Sequence, residues 1–113
     1  MGGRDDLTAL TVEELAGLLA QRRISSVELT DACLARIARL NDALHAFIAV
    51  YADDARAAAK AADLARGAGH AIGPLHGIPF GLKDLVDLEG RVTTGGSKAW
   101  AARVSPATGS LAR

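Results

Sequence analysis

The sequence predicts an α/β fold in which N-terminal helices lead into the first strands of a sheet. Three observations carry that prediction. Two Ser/Thr-x-x-Glu capping boxes, Thr11 with Glu14 and Ser25 with Glu28, each open a stretch of helical apolar spacing. Glycines and a proline around Gly73-Pro74 then break the helical pattern. Beyond Pro74 the period falls to two, with Ile78, Phe80 and Leu82 alternating against Pro79, Gly81 and Lys83.

Each element follows from its residues. After Thr11, the side chains of Leu15, Leu18 and Leu19 form one apolar face, and Gln21-Arg22-Arg23 brings cations to the helix C-terminus. The second helix carries Leu29, Cys33, Ile37 and Leu40 on one stripe, turns Asp31, Arg36 and Arg39 away, and is expected to end at Asn41-Asp42. Residues 46–51 read as a short extended segment. A third helix over 55–66, capped by Asp53 or Asp54, has the strongest helix propensity in the chain. Its apolar side is almost entirely alanine, which suits close packing or an exposed face. Gly67, Gly69 and Gly73-Pro74 close it into a loop. Val92-Thr93-Thr94 is expected as a second short strand, and Ser105-Pro106 as the N-cap and first residue of a helix running to Arg113.

The 113 residues bound the chain to one domain, with a helical part at about 7–70 and strands and loop at about 74–104. Both halves are too small to stand as independent domains. Half of the residues are hydrophobic but only 4% are aromatic, and 24 are alanine, so the core is built from small side chains. Thirteen basic and thirteen acidic residues cancel. That balance argues against a nucleic-acid partner, which calls for a basic excess, and against an anionic membrane surface. The lone Cys33 can form no internal disulfide and is most simply a small buried hydrophobe on the second helix. Met-Gly-Gly-Arg-Asp-Asp opens the chain without a signal peptide's apolar stretch, and Asp6 stands where a myristoylation signal needs Ser or Thr. No uncharged run approaches the ~20 residues that span a bilayer. The expectation is a soluble, cytoplasmic protein.

Lys83 carries the chemistry. In the strand reading it points away from the face of Ile78, Phe80 and Leu82, beside Pro79 and Gly81, with Leu85, Val86 and Leu88 close behind. Apolar surroundings would desolvate its ammonium and free the amine as a general base. The plainer reading makes Lys83 and Asp84 a solvated ion pair at a strand end. His45, His70 and His76 match no metal-ligand spacing, and no metal is expected. The glycines at 67, 69 and 73 fit no dinucleotide fingerprint, and no cofactor is expected. Ser97, in a Gly-Gly-Ser run, lacks the G-x-S-x-G context of a nucleophile and reads as structural; Ser110 reads as a surface residue.

The run Gly73-Pro74-Leu75-His76-Gly77-Ile78-Pro79-Phe80-Gly81-Leu82-Lys83-Asp84 closely resembles the core of the amidase signature family, as does Gly90-Arg91-Val92-Thr93-Thr94-Gly95-Gly96-Ser97-Lys98-Ala99-Trp100. Ile24-Ser25-Ser26-Val27-Glu28-Leu29 and Ala46-Phe47-Ile48 resemble the family's N-terminal helices and first extended segment. The resemblance implies an α/β/α fold with a large mixed sheet and hydrolysis of small-molecule carboxylic amides by a Ser–cis-Ser–Lys triad. Lys83 matches the triad lysine. Neither serine has a counterpart here, since the family's Gly/Ser-rich signature lies further downstream. The resemblance thus implies an N-terminal amidase fragment with a base and no nucleophile, inactive alone. Beyond Ser105-Pro106 it departs from the family's Leu- and Arg-rich helix: Gly109 costs about 1 kcal/mol against alanine in a helix. Two alternatives stand beside this reading. One is a fragment of the A-type polypeptide of a glutamine-dependent tRNA amidotransferase, which needs a partner protein. The other is a small non-catalytic helical interaction module, in which Lys83 is freely replaceable.

Overall fold

A computed structural model describes residues 6–113, and both capping boxes form in it. Thr11 Oγ1 accepts from the Glu14 amide at 3.1 Å while Glu14 Oε2 accepts from the Thr11 amide at 2.8 Å, opening α1 (Val12–Ala20). Helix α1 stops in a Schellman turn: Arg22 takes the left-handed conformation (φ 56°), its amide donates to Leu19 O, and the Arg23 amide donates to Leu18 O at 2.9 Å. Ser25 and Glu28 open α2 (Ser26–Leu44) in the same reciprocal way.

Helix α2 runs past Asn41-Asp42, where the sequence pattern predicts its end. The Asn41 amide group accepts from Phe47 N at 2.8 Å and donates to Phe47 O at 2.9 Å, so it ties down the chain beyond the helix instead of competing with the helix backbone. His45, left-handed at φ 51°, closes the helix. Residues 46–51 form no strand. Helix α3 (Ala52–Gly67) begins earlier than expected, at Tyr51, without a side-chain cap. Asp53 and Asp54 fall inside its first turn, where a carboxylate favours the exposed amides and the positive end of the helix dipole.

Contacts divide the chain into two compact units, one up to Pro79 and the other Phe80–Arg113. The first is built around Leu7, Leu15, Leu19, Ile24 and Leu29, with Leu10, Leu18, Ala32, half-buried Cys33 and Ile78 packed against them. Helix α3 adds the buried Ala59, consistent with an alanine face made for close approach. Asp63 of α3 caps α2 from outside: its Oδ1 accepts from Ser26 N at 2.7 Å and its Oδ2 from Val27 N at 3.1 Å. With Ser25 serving Glu28 N, the first three amides of α2 all find acceptors. Gly77 sits so close to α2 that a Cβ there would stand 2.1 Å from Ser26 Oγ, and its φ of +86° favours glycine as well.

The second unit contains neither an α-helix nor a strand ladder among the described residues. It holds 3-10 turns at Lys98–Trp100 and Ser110–Ala112 and one antiparallel bridge, Val92 with Val104, flanked by Ser105 N to Arg91 O (2.8 Å) and Thr93 N to Arg103 O (3.1 Å). The described residues are therefore mostly helical. The strand expected over 78–82 does not form: Ile78 packs on the helical core, while Phe80 is 76% exposed and Leu82 is also exposed. An extended segment becomes a strand only when a neighbour accepts and donates its backbone hydrogen bonds, and Val104 alone offers residues 92–94 such a neighbour.

The helix expected after Ser105 is absent too. Ser105 is not an N-cap; it is 1% exposed and its hydroxyl donates to Asp87 Oδ1 at 2.7 Å. The Glu89 amide donates to Thr108 Oγ1 and the Gly109 amide to Asp87 O, so the tail is drawn onto residues 87–89 rather than coiling on itself. Ser110 is exposed on the last turn. No described helix is long and apolar enough to cross a membrane. The reading of Met1 to Asp5 as lacking a leader lies outside the described residues.

Candidate functional site

Lys83 begins a turn in which its carbonyl accepts from Val86 N at 3.0 Å. Its side chain is exposed. Of Leu85, Val86 and Leu88, expected to desolvate the ammonium, Leu85 is 67% exposed and Val86 and Leu88 are half-buried. No described residue hydrogen-bonds its Nζ.

Asp84, next in sequence, does not serve as the lysine's ion-pair partner. Its Oδ1 accepts from Thr94 N at 2.9 Å and its Oδ2 accepts from the Thr94 hydroxyl, while its carbonyl accepts from Gly95 N at 2.8 Å. Thr94 Oγ1 in turn accepts from Gly96 N at 3.0 Å. Gly95 and Gly96 carry φ values of 58° and 77°, so the Thr94-Gly95-Gly96 turn needs glycine to present its amides inward. The Thr94 hydroxyl, then the Thr94 amide, hold the Asp84 carboxyl below the usual carboxylate range; Lys83 contributes least. Ser97 follows the turn, and its Oγ accepts from Ala99 N at 3.3 Å to start the next 3-10 turn, a structural role.

A second carboxylate organises the rest of this unit. Asp87 Oδ1 meets Arg103 Nη1 at 3.0 Å and the Ser105 hydroxyl at 2.7 Å, and Ser105 Oγ lies 3.1 Å from Thr93 Oγ1. These donors, Arg103 first, pull the Asp87 carboxyl down to about 2. Arg103 also stacks 5.5 Å above the Trp100 ring. An open cleft of about 350 Å³ lies among Leu85, Asp87, Thr94, Trp100 and Arg103.

Sequence reasoning names Lys83, Ser97 and Ser105 but misses what Asp84 and Asp87 do. Their partners stand ten to eighteen residues away, at no spacing that a helix or strand would flag. The one local signal is Thr94 ahead of two glycines, a composition for a turn that a carboxylate can hold. In the first unit, His76 Nδ1 accepts from Ile72 N at 3.2 Å, so Nε2 carries the proton given to Ala62 O at 2.9 Å. Arg66 Nη2 donates to His76 O at 2.8 Å, completing a clamp on the loop after α3. The Cys33 thiol is pushed up by burial, beside a groove of about 240 Å³ along α2 lined by Ile37, Leu40 and Phe47. No three His, Cys, Asp or Glu side chains converge among the described residues.

The Amidase family model matches residues 28–113. The A-type polypeptide of glutamyl-tRNA(Gln) amidotransferase from Salinispora arenicola is 42% identical over 108 residues, covering 96% of this chain and 22% of that protein. Its namesake from Sinorhizobium medicae is 51% identical over 85 residues, covering 75% of this chain and 17% of that protein. A solved structure, described as an unexpected vestigial protein complex revealing the evolutionary origins of an s-triazine catabolic enzyme, superposes with a TM-score of 0.82 at 31% identity. That match covers 88% of this chain and 22% of the other. The chain spans about a fifth of the length of the relatives it matches.

Proposed function

The chain belongs to the amidase family, and from that premise we propose that it contributes the base of an amide C–N hydrolysis, with Lys83 in that role. The observation that carries this is the run from Gly73 to Asp84, which lies inside the matched residues and contains, at position 83, the lysine that the family's triad calls for. The Lys83 amine, acting through a bridging serine, takes the proton of a second serine as that serine attacks the amide carbonyl. An acyl-enzyme forms, the proton passes to the leaving nitrogen, and water then releases the acid. Neither serine has a counterpart in the 113 residues, so the chain acts as part of a larger active site. Residues 78–82 take their place as a strand of an α/β/α mixed sheet once neighbouring strands flank them, and both units then belong to one amidase domain. The setting is the cytoplasm and the substrate a small-molecule amide.

A second reading is favoured by the relatives' own names. Their role as amidotransferase components points to glutamine as the amide, to glutamyl-tRNA as the acceptor of the released ammonia, and to a partner protein with which the chain assembles. Purifying the tagged chain from its native cells tests this: a stoichiometric second protein supports it, and a chain that elutes without one sinks it.

The base assignment is tested in a hybrid. All 113 residues replace the stretch they match in the Salinispora arenicola amidotransferase polypeptide, and glutamine hydrolysis is measured. The hybrid is expected to be active, and Lys83→Met to lower its rate by about 10²–10⁴-fold, the usual contribution of a positioned general base. Equal rates with and without the lysine would remove Lys83 from the mechanism.

A further inference from the structure

We infer that Asp84 is a positioning residue for Lys83: through Thr94 it fixes the lysine's backbone against the Thr94-Gly95-Gly96 turn and leaves the amine free. The inference rests on Lys83 being the base. Three hydrogen bonds converge on Asp84 from that turn, two on the carboxylate from Thr94 and one on the carbonyl from Gly95. Lys83 itself is held through its own carbonyl, which accepts from Val86 N. The lysine's main chain is thus held at residues 83 and 84, while its side chain is exposed.

A general base needs this division, because proton transfer depends on placement within a fraction of an ångström and on an amine not committed elsewhere. A carboxylate beside a lysine would ordinarily compete for that amine. Here both carboxylate oxygens are occupied by Thr94, so Asp84 orders the site without capturing the base. Thr94 relays the hold further, since its hydroxyl also accepts from Gly96 N.

The test compares Asp84→Ala, Thr94→Val and Thr94→Ser, first in the full chain and then in the hybrid enzyme. In the full chain, Asp84→Ala and Thr94→Val are expected to speed amide exchange at Thr94 and Gly95 at least about tenfold, a local opening. The Lys83 backbone order parameter falls with them, while the helical circular dichroism is unchanged. Thr94→Ser, which keeps the hydroxyl, stays like the parent. In the hybrid, Asp84→Ala lowers kcat by about 10²-fold with KM unchanged, the scale of a small misplacement. Thr94→Val follows it and Thr94→Ser recovers. An Asp84→Ala chain with Lys83 as ordered as before would overturn the inference. So would a hybrid that needs Lys83 but keeps its kcat in Asp84→Ala. Activity that survives Lys83→Met is a different result: it overturns the base assignment, and this inference falls with it.

Discussion

The two units of this chain are built on opposite principles. In the first, the buried residues are mostly apolar: Leu7, Leu15, Leu19, Ile24, Leu29 and Ala59, beside Ser26 and Thr30. In the second, the buried positions among the described residues are Thr93 and Ser105, both hydroxyls tied to the Asp87 network. Burying a leucine side chain contributes about 1.5–3 kcal/mol, whereas a hydrogen bond exchanged with water contributes about 0.5–1.5 kcal/mol net. The helical unit therefore carries the stability. The polar unit carries the geometry, because directional bonds fix where Lys83 and its turn stand without needing a core.

Truncating the apolar core should have the largest effect on stability. Leu19→Ala, at a position 1% exposed, is expected to cost about 2–5 kcal/mol, read from urea denaturation followed by helical circular dichroism. Trp100→Ala removes the largest side chain of the second unit, yet at 54% exposure it should change amide exchange at Ser105 less than Asp87→Ala does. If Trp100→Ala proved the more disruptive, the second unit would have an apolar centre after all and the contrast would fail.

Gly77→Ala sharpens the comparison within the first unit. Its positive φ alone costs about 1–2 kcal/mol for a residue with a Cβ, and the contact with Ser26 Oγ adds to that. In a Ser26→Ala background the same substitution should recover part of the loss, since the oxygen nearest the new Cβ is gone. Equal costs in both backgrounds would show that φ, not packing, dominates. Ser25→Ala should cost less, about 1 kcal/mol, because Asp63 still holds the amides of Ser26 and Val27.

Legibility follows the same division. Both capping boxes and the leucine face of α1 can be read because helix rules are local, reaching three or four residues. The end of α2 is misread at Asn41 because an asparagine that bonds Phe47 beyond the helix looks, in sequence, like one that ends it. The alternation at 78–82 has the period of a strand, yet pattern cannot supply the neighbouring strand that makes a sheet. Lys83 stands out only through the motif around it. Asp84 reads as a charge beside a charge, and Asp87 goes unnoticed, because Thr94, Arg103 and Ser105 reach them through turns whose course depends on glycine conformations.

The smallest effect expected is also the most specific to the polar unit. Asp87 is ionised down to about pH 2 because Arg103, then Ser105, donate to its carboxylate. An aspartate free in an unfolded chain protonates near 3.9. The folded value is the lower one, so the network's contribution is fully present above about pH 4 and is lost as pH falls through about 2. The pair is solvent-exposed, which keeps the contribution small and screened by salt. Trp100, the chain's single tryptophan, reports it through Arg103 stacked on its ring. Its fluorescence should change with a midpoint near pH 2, and Asp87→Asn should abolish that step while leaving the helical signal intact. A midpoint near 4 would mean that Arg103 and Ser105 do not hold the carboxylate in solution. The second unit would then need something other than this network to keep the segment from Leu85 to Ser105 in place.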